Sequence, residues 1–181
     1  LESEPKDSSA AIGLAAAILV SREPDVIIGS FAADHVITDV RGFRRAVEEG
    51  VAAARAGYIA TIGITPTEPA IGFGYIHCAG PLAIDGAPHA VAVESFVEKP
   101  DLATAEKYVA DGNHLWNGGM FIARADVLLA QLGESNPRLL EGLTELAAAW
   151  DTPRRGAVVD KVWPSLPKIA IDYTVAEPAA A

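Results

Sequence analysis

Apolar positions along the chain recur at two periods, one that suits helices and one that suits strands. An alanine-rich stretch that Ser8 or Ser9 can cap predicts a helix to about Val20. Pro24-Asp25 ends it before the apolar run Val26-Ile27-Ile28-Gly29-Ser30-Phe31, which reads as a buried strand. Phe43, Val47, Val51 and Ala54 fall at helical spacing within residues 41–56, and Gly57 stops that helix ahead of a strand from Tyr58 to Ile64. Helix then strand, twice over, points to a parallel α/β sheet. Between Phe73 and Val97 the pattern shortens to strands with turns at Gly80-Pro81 and Asp85-Gly86, as an antiparallel insertion gives. Helices resume over 101–111, with Asp101 near the N-terminus, and over 125–133 and 137–150. No repeat, linker or second-domain boundary interrupts residues 1–181, so one domain is expected. The chain starts without Met and stops at Glu177-Pro178-Ala179-Ala180-Ala181 directly after a patterned segment, so it reads as a fragment truncated at both ends.

Composition narrows the function classes. With 181 residues, half of them hydrophobic, the chain can bury a sizeable core. A net charge of −10 argues against a nucleic-acid or anionic-membrane surface. Any bound phosphate must then be held locally, by a few cations, backbone amides or a metal. The single Cys78 rules out an internal disulfide and a cysteine-based zinc cluster, and a reducing cytoplasm is the simplest home. No apolar run reaches the roughly 18 residues of a membrane span, and Leu1-Glu2-Ser3-Glu4-Pro5-Lys6 lacks a signal peptide's cationic start.

Two stretches carry the candidate chemistry. Phe96-Val97-Glu98-Lys99-Pro100 ends a strand with adjacent opposite charges, and Trp116-Asn117-Gly118-Gly119-Met120-Phe121 sets a carboxamide beside two glycines. An acid and an amide suit sugar hydroxyls, a lysine suits a phosphate, and glycines let backbone approach a ligand. Together they suggest a sugar phosphate site. Residues just beyond strand ends are the next to weigh, because ligands of open α/β sheets bind there. Asp34 follows the 26–31 strand and suits a hard divalent cation, although a turn Asp bonded to local backbone is the plainer reading. Asp172, after the apolar stretch Pro167-Lys168-Ile169-Ala170-Ile171, is either a second metal ligand or a helix N-cap for Tyr173 to Glu177. His35 lacks a nucleophile at a recognisable spacing, His77, His89 and His114 share no ligand spacing, and Cys78 has no flanking cation, so all five read as structural. Trp116, Trp150 and Trp163 read as core or interface aromatics, and Arg154-Arg155 as a solvated pair.

Taken in order, Asp34-His35, Gly72-Phe73-Gly74-Tyr75-Ile76, Phe96-Val97-Glu98-Lys99-Pro100, Trp116-Asn117-Gly118-Gly119-Met120-Phe121 and Pro167-Lys168-Ile169-Ala170-Ile171-Asp172-Tyr173 cover nearly the whole chain. Each motif is short, but the ordered set resembles the sugar-1-phosphate nucleotidylyltransferases, and within them the mannose-1-phosphate guanylyltransferases. The resemblance implies a Rossmann-like nucleotidyltransferase domain with a mixed, mainly parallel sheet flanked by helices. It implies that Asp34 and Asp172 hold a catalytic Mg2+, that Lys99 contacts the sugar phosphate, and that Glu98, Asn117 and Gly118 lie at the sugar with the Gly74 backbone against it. It also aligns Asp7-Ser8-Ser9-Ala10 with a stretch near the guanine base, making Asp7, Ser8 and Asp34 the nucleotide-side residues. The substrates implied are GTP and mannose 1-phosphate, with a homo-oligomer left open.

Four departures qualify the resemblance. Gly118 stands where the family has a serine after the asparagine, Ile71 replaces a threonine and Ala170 a serine. The glycine-rich Gly-Thr-Arg loop that cradles the triphosphate does not occur in residues 1–181, so the chain alone is expected to bind GTP poorly. Another nucleotide or hexose 1-phosphate, or a sugar-phosphate-binding subunit without catalysis, are the alternatives.

Overall fold

In the computed structural model, residues 3–180 are described. The readings that involve Leu1, Glu2 and Ala181 lie outside them. The chain forms two compact units, one built from the stretch ending at Ile28 together with Arg124–Ala179, the other from Gly29–Ala123.

The first unit is helical. Helix α1 (Asp7–Val20) packs on α4 (Ala125–Ser135) and α5 (Pro137–Ala149), with α6 (Arg155–Val162) beside α5. The predicted helices over 8–20, 125–133 and 137–150 are therefore present. Helix α1 is alanine-rich because its neighbours come close: a Cβ on Gly13 would stand 2.6 Å from Leu143 Cδ1 and 3.0 Å from Leu132 Cδ1. Leu128, Leu132, Leu139, Leu143 and Leu146 fill the core between the helices. Trp163 is also buried, its indole N–H donating to the Glu4 carbonyl at 2.8 Å. Arg155 lies over the Trp150 ring at 5.5 Å, so half of the pair read as solvated is engaged in a cation–π contact.

The second unit carries the sheet. Its strands are β2 (Ala60–Ile64), β3 (Gly74–Pro81), β4 (Val91–Glu98) and β5 (His114–Arg124), and β1 (Ile27–Ser30) runs into it. The order is β1-β5-β3-β4, with β2 also paired to β5. Helix α2 (Val40–Arg55) lies against β2 and comes close to β5 at Gly50, where a Cβ would stand 2.6 Å from Ile122 Cδ1. Helix α3 (Leu102–Asp111) starts at Asp101, whose carboxylate accepts from the Thr104 N–H, and ends at the left-handed Gly112.

The α/β class is as expected, and the β3–β4 hairpin is the anticipated antiparallel insertion. The mainly parallel character is not what the pairings show: β2–β5, β3–β4 and β3–β5 are all antiparallel. Two of these three pairings involve β5, a long strand from late in the chain that also neighbours β1. Nor does β3 turn at Gly80-Pro81; it continues through Pro81, and Gly86, with φ 79°, makes the turn that follows.

Replacing Leu143, fully buried between α1 and the rest of the helical unit, with alanine is expected to cost about 3 kcal/mol. Urea unfolding followed by circular dichroism checks this, and a loss below about 1 kcal/mol would mean the unit collapses around the cavity.

Candidate functional site

The residues expected on the sugar side are related through strand register. Glu98 on β4 faces Gly74 on β3, and Tyr75 on β3 faces Trp116 on β5. One step further in the same antiparallel register, Gly74 and Asn117 are the next residues on their strands. Glu98 and Gly74 are thus cross-strand partners, and Asn117 follows the β5 partner of the next β3 residue. Directly opposed residues share a face of the sheet, so the acid flanks a position that has no side chain.

Gly74 has to be glycine here. A Cβ at this position would stand 2.5 Å from Glu98 Oε2 and 2.8 Å from the Phe96 ring. The Glu98 carboxylate is only 11% exposed and leans over the Gly74 backbone. Lys99 Nζ pairs with Glu98 Oε1 at 3.0 Å, and the Lys99 N–H donates to the Phe73 carbonyl at 3.3 Å. Lys99 takes a left-handed backbone, φ 50°, immediately before Pro100. Proline disfavours the right-handed helical region for the residue before it, and a residue that carries a Cβ costs on the order of 1–2 kcal/mol in the left-handed region. The strain falls on the residue that the sequence singled out for phosphate.

Asn117 is oriented by two contacts. Its Oδ1 accepts from Thr61 Oγ1 at 2.8 Å and from the Gly119 N–H at 3.1 Å. A backbone N–H can only donate, so the atom facing Gly119 is the oxygen and the amide nitrogen is directed elsewhere. Thr61 went unnoticed in the sequence, since nothing local links a β2 threonine to an amide on β5. Between the pairs Thr61–Phe121 and Gly63–Asn117, β2 advances two residues while β5 advances four, so β5 bulges at its glycines. Gly119 supplies the positive φ, 63°, and Gly118 supplies close approach: a Cβ there would stand 2.6 Å from the Ile62 carbonyl oxygen. The missing serine hydroxyl at 118 is thus a matter of space in the bulge. Beside Asn117, the Trp116 indole N–H is buried without an acceptor among the described residues, and its ring meets Phe73 edge-on at 5.0 Å.

Asp34 lies in an exposed turn after β1, in the same unit as Glu98, Gly74 and Asn117. Beside it is a cavity of about 420 Å3 lined by Phe31, His35, Phe43, Arg44 and Met120 among others, which no local sequence signal announced. Asp172 belongs to the helical unit, half-buried at the first position of a single π turn (Asp172–Ala176) rather than at an ordinary helix start. Asp7 and Ser8, expected on the nucleotide side, are in that unit too. Asp7 is the other non-glycine with positive φ, 67°, and its carboxylate accepts from the Ser8 N–H at 2.8 Å. Ser8 does not cap α1. Its Oγ accepts from the Ile171 N–H at 2.8 Å, which draws the segment ahead of Asp172 to the start of α1.

The groups read as structural are engaged in packing. His77 and His114 stack at 4.6 Å, with Nδ1 of each on a carboxylate, Glu94 and Asp111 respectively, both at 2.9 Å. The His114 hydrogen bond, then the Asn113 N–H, hold the Asp111 carboxyl below its usual range. Burial pushes the Cys78 thiol up, away from thiolate chemistry.

Two substitutions test this geometry. Lys99→Gly is expected to be more stable than Lys99→Ala by about 1 kcal/mol in urea unfolding, because glycine tolerates the left-handed backbone; equal stabilities would show the strain is absent. Gly118→Ser, which restores the family's serine, is expected to lower stability by roughly 1–3 kcal/mol through contact with the Ile62 carbonyl. An unchanged unfolding midpoint would show that the bulge accommodates a side chain.

The nucleotidyl transferase family model matches residues 1–163. The chain is 38% identical over 183 residues to the mannose-1-phosphate guanylyltransferase of Escherichia coli (strain K12), covering 99% of this chain and 38% of that protein. Over 184 residues it is 37% identical to the xanthan biosynthesis protein XanB of Xanthomonas campestris pv. campestris (strain B100), with the same coverage. It therefore spans less than half the length of these curated relatives. A Thermus thermophilus structure described as a mannose-1-phosphate geranyltransferase superposes with a TM-score of 0.85 at 31% identity, over 99% of this chain and 49% of that one. A Helicobacter pylori mannose-6-phosphate isomerase structure shares the fold, with a TM-score of 0.79 at 24% identity over 98% of this chain and 66% of that one. With a family model matched over most of its length, this chain belongs to the nucleotidyl transferase family.

Proposed function

We propose that this chain is part of an enzyme that transfers GMP from GTP to mannose 1-phosphate, giving GDP-mannose and pyrophosphate. The observation that carries the reading is Glu98 paired across the strands with Gly74 and bridged to Lys99, with Asn117 one residue beyond the Tyr75–Trp116 pair. Glu98 accepts hydrogen bonds from sugar hydroxyls, the Asn117 amide donates to one, and the Gly74 backbone forms a floor without a side chain. Lys99 holds the sugar phosphate as a point charge.

A phosphate oxygen of mannose 1-phosphate attacks the α-phosphorus of GTP. A new P–O bond forms, the bond from that phosphorus to the β-phosphate oxygen breaks, and its electron pair leaves with pyrophosphate. The nucleophile is already anionic, so no general base is required. The protein's task is to align two polyanions and offset their repulsion.

Asp34 and Asp172 offer hard carboxylate oxygens suited to Mg2+. Among the described residues no group of three or more His, Cys, Asp or Glu side chains could hold a metal unaided. Further ligands to an ion on either carboxylate would be substrate phosphate oxygens and water, as Mg2+ commonly takes. When bound, the ion would neutralise charge on the phosphates. A cytoplasmic setting suits these soluble, charged substrates, and no described helix is long and apolar enough to cross a membrane.

The test is pyrophosphate release by the protein from its complete reading frame, with each nucleotide and sugar phosphate in turn. Activity requiring GTP and mannose 1-phosphate is expected, with a fall of at least about 100-fold in Lys99→Ala, as loss of a group that stabilises transition-state charge gives. Transfer with another nucleotide or sugar would revise the substrates. An inactive wild type would leave a binding module in place of an enzyme.

A further inference from the structure

The start of α1 is bound to the segment around Asp172 by three hydrogen bonds. The Ile171 N–H donates to Ser8 Oγ at 2.8 Å, the Ser9 N–H donates to the Ile169 carbonyl at 3.2 Å, and the Ser9 and Thr174 hydroxyls share a hydrogen bond of 2.7 Å. Ser9 is 0% and Thr174 2% exposed. The anchors fall on both sides of Asp172: Ile169 and Ile171 before it, Thr174 after it. Between them the backbone makes a π turn, in which the Glu177 N–H donates to the Asp172 carbonyl. Such turns are rare, are frequent at functional sites, and persist only where their surroundings hold them.

A helical threonine commonly bonds back to a carbonyl in its own preceding turn. Thr174 reaches instead across to a serine 165 residues away in sequence. A buried hydroxyl that loses its partner keeps its desolvation cost, so the pair selects one placement of the turn over slipped alternatives. Each hydroxyl is buried and has the other as its partner. Their effect passes through the backbone that carries the Asp172 carboxylate.

We propose that Ser9 and Thr174 are positioning residues whose buried hydroxyl pair sets where Asp172 presents its carboxylate to the divalent cation. This rests on the reading above, in which Asp172 holds Mg2+. A clamp that served stability alone would move the unfolding midpoint and leave metal affinity untouched.

Thr174→Val keeps the shape and removes the hydroxyl; Thr174→Ser keeps the hydroxyl. In the protein from its complete reading frame, Thr174→Val is expected to raise the Mg2+ concentration for half-maximal pyrophosphate release about tenfold, the scale for losing an outer hydrogen-bond partner of a metal ligand. Turnover at saturating Mg2+ should stay within about twofold of wild type if only metal capture is weakened. Without metal, amide hydrogen exchange across residues 169–177 should accelerate in Thr174→Val and return to the wild-type rate in Thr174→Ser. If Thr174→Val does not fold, Ser9→Ala removes the same bond from the other side and is read in the same way. Unchanged Mg2+ dependence in Thr174→Val, while Asp172→Asn abolishes it, would overturn the positioning role alone. An Asp172→Asn protein with wild-type Mg2+ dependence, or an inactive wild type, would overturn the role together with the reading on which it rests.

Discussion

The antiparallel register of β4, β3 and β5 is the constraint on which the sugar-side site depends. In an antiparallel sheet, residues directly opposite one another place their side chains on the same face, and a slip of one residue sends every side chain to the other. Tyr75 pins the register, being almost fully buried and paired with Val97 on one edge and Trp116 on the other. With that row facing the interior, the adjoining pair of Glu98 and Gly74 must take the opposite face. The glycine then does two things at once: it admits the Glu98 carboxylate, and it leaves backbone where a ligand can approach. The β5 bulge works on the same strand, spacing Asn117 from the buried run Met120–Ala123 so that the amide reaches Thr61.

Backbone strain is concentrated where chemistry was expected. Lys99 and Asp7 are the two non-glycine residues with positive φ among those described, and both belong to segments assigned to phosphate or nucleotide. Strained conformations persist when neighbouring structure over-determines them, and they cluster at functional sites. At Lys99 the neighbours are the Phe73 carbonyl, the Glu98 carboxylate and Pro100. At Asp7 they are the Ser8 N–H and the hydrogen bonds that fasten Ser8 and Ser9 to the 169–174 segment.

The same fold accounts for polar groups that do no chemistry. Stacked histidines each satisfied by a carboxylate, a half-buried thiol whose pKa is raised, and a tryptophan anchored to a carbonyl are packing solutions. Their residue types are those that active sites use, so only their partners tell the two uses apart.

Local pattern determined much of this protein on its own. Helical periodicity over residues 41–56 and the Gly57 stop placed α2, because burying one face of a helix imposes a period that a linear sequence displays, while alanine richness up to Pro24-Asp25 placed α1. The motifs around Glu98-Lys99 and Asn117 were legible because their residue types carry the chemistry wherever the chain folds. Tertiary structure alone decided what depends on pairing between distant segments. That β5 would lie beside both β1 and β2, and pair antiparallel with β2 and β3, has no local signal, because strand partners are chosen by the whole sheet. Thr61 on Asn117, the Ile62 carbonyl against Gly118, and Ser8 and Ser9 bonded to the segment around Asp172 instead of capping α1 are contacts across 56 to 165 positions. A hydroxyl or a glycine looks the same in sequence whether it serves its own turn or one far along the chain.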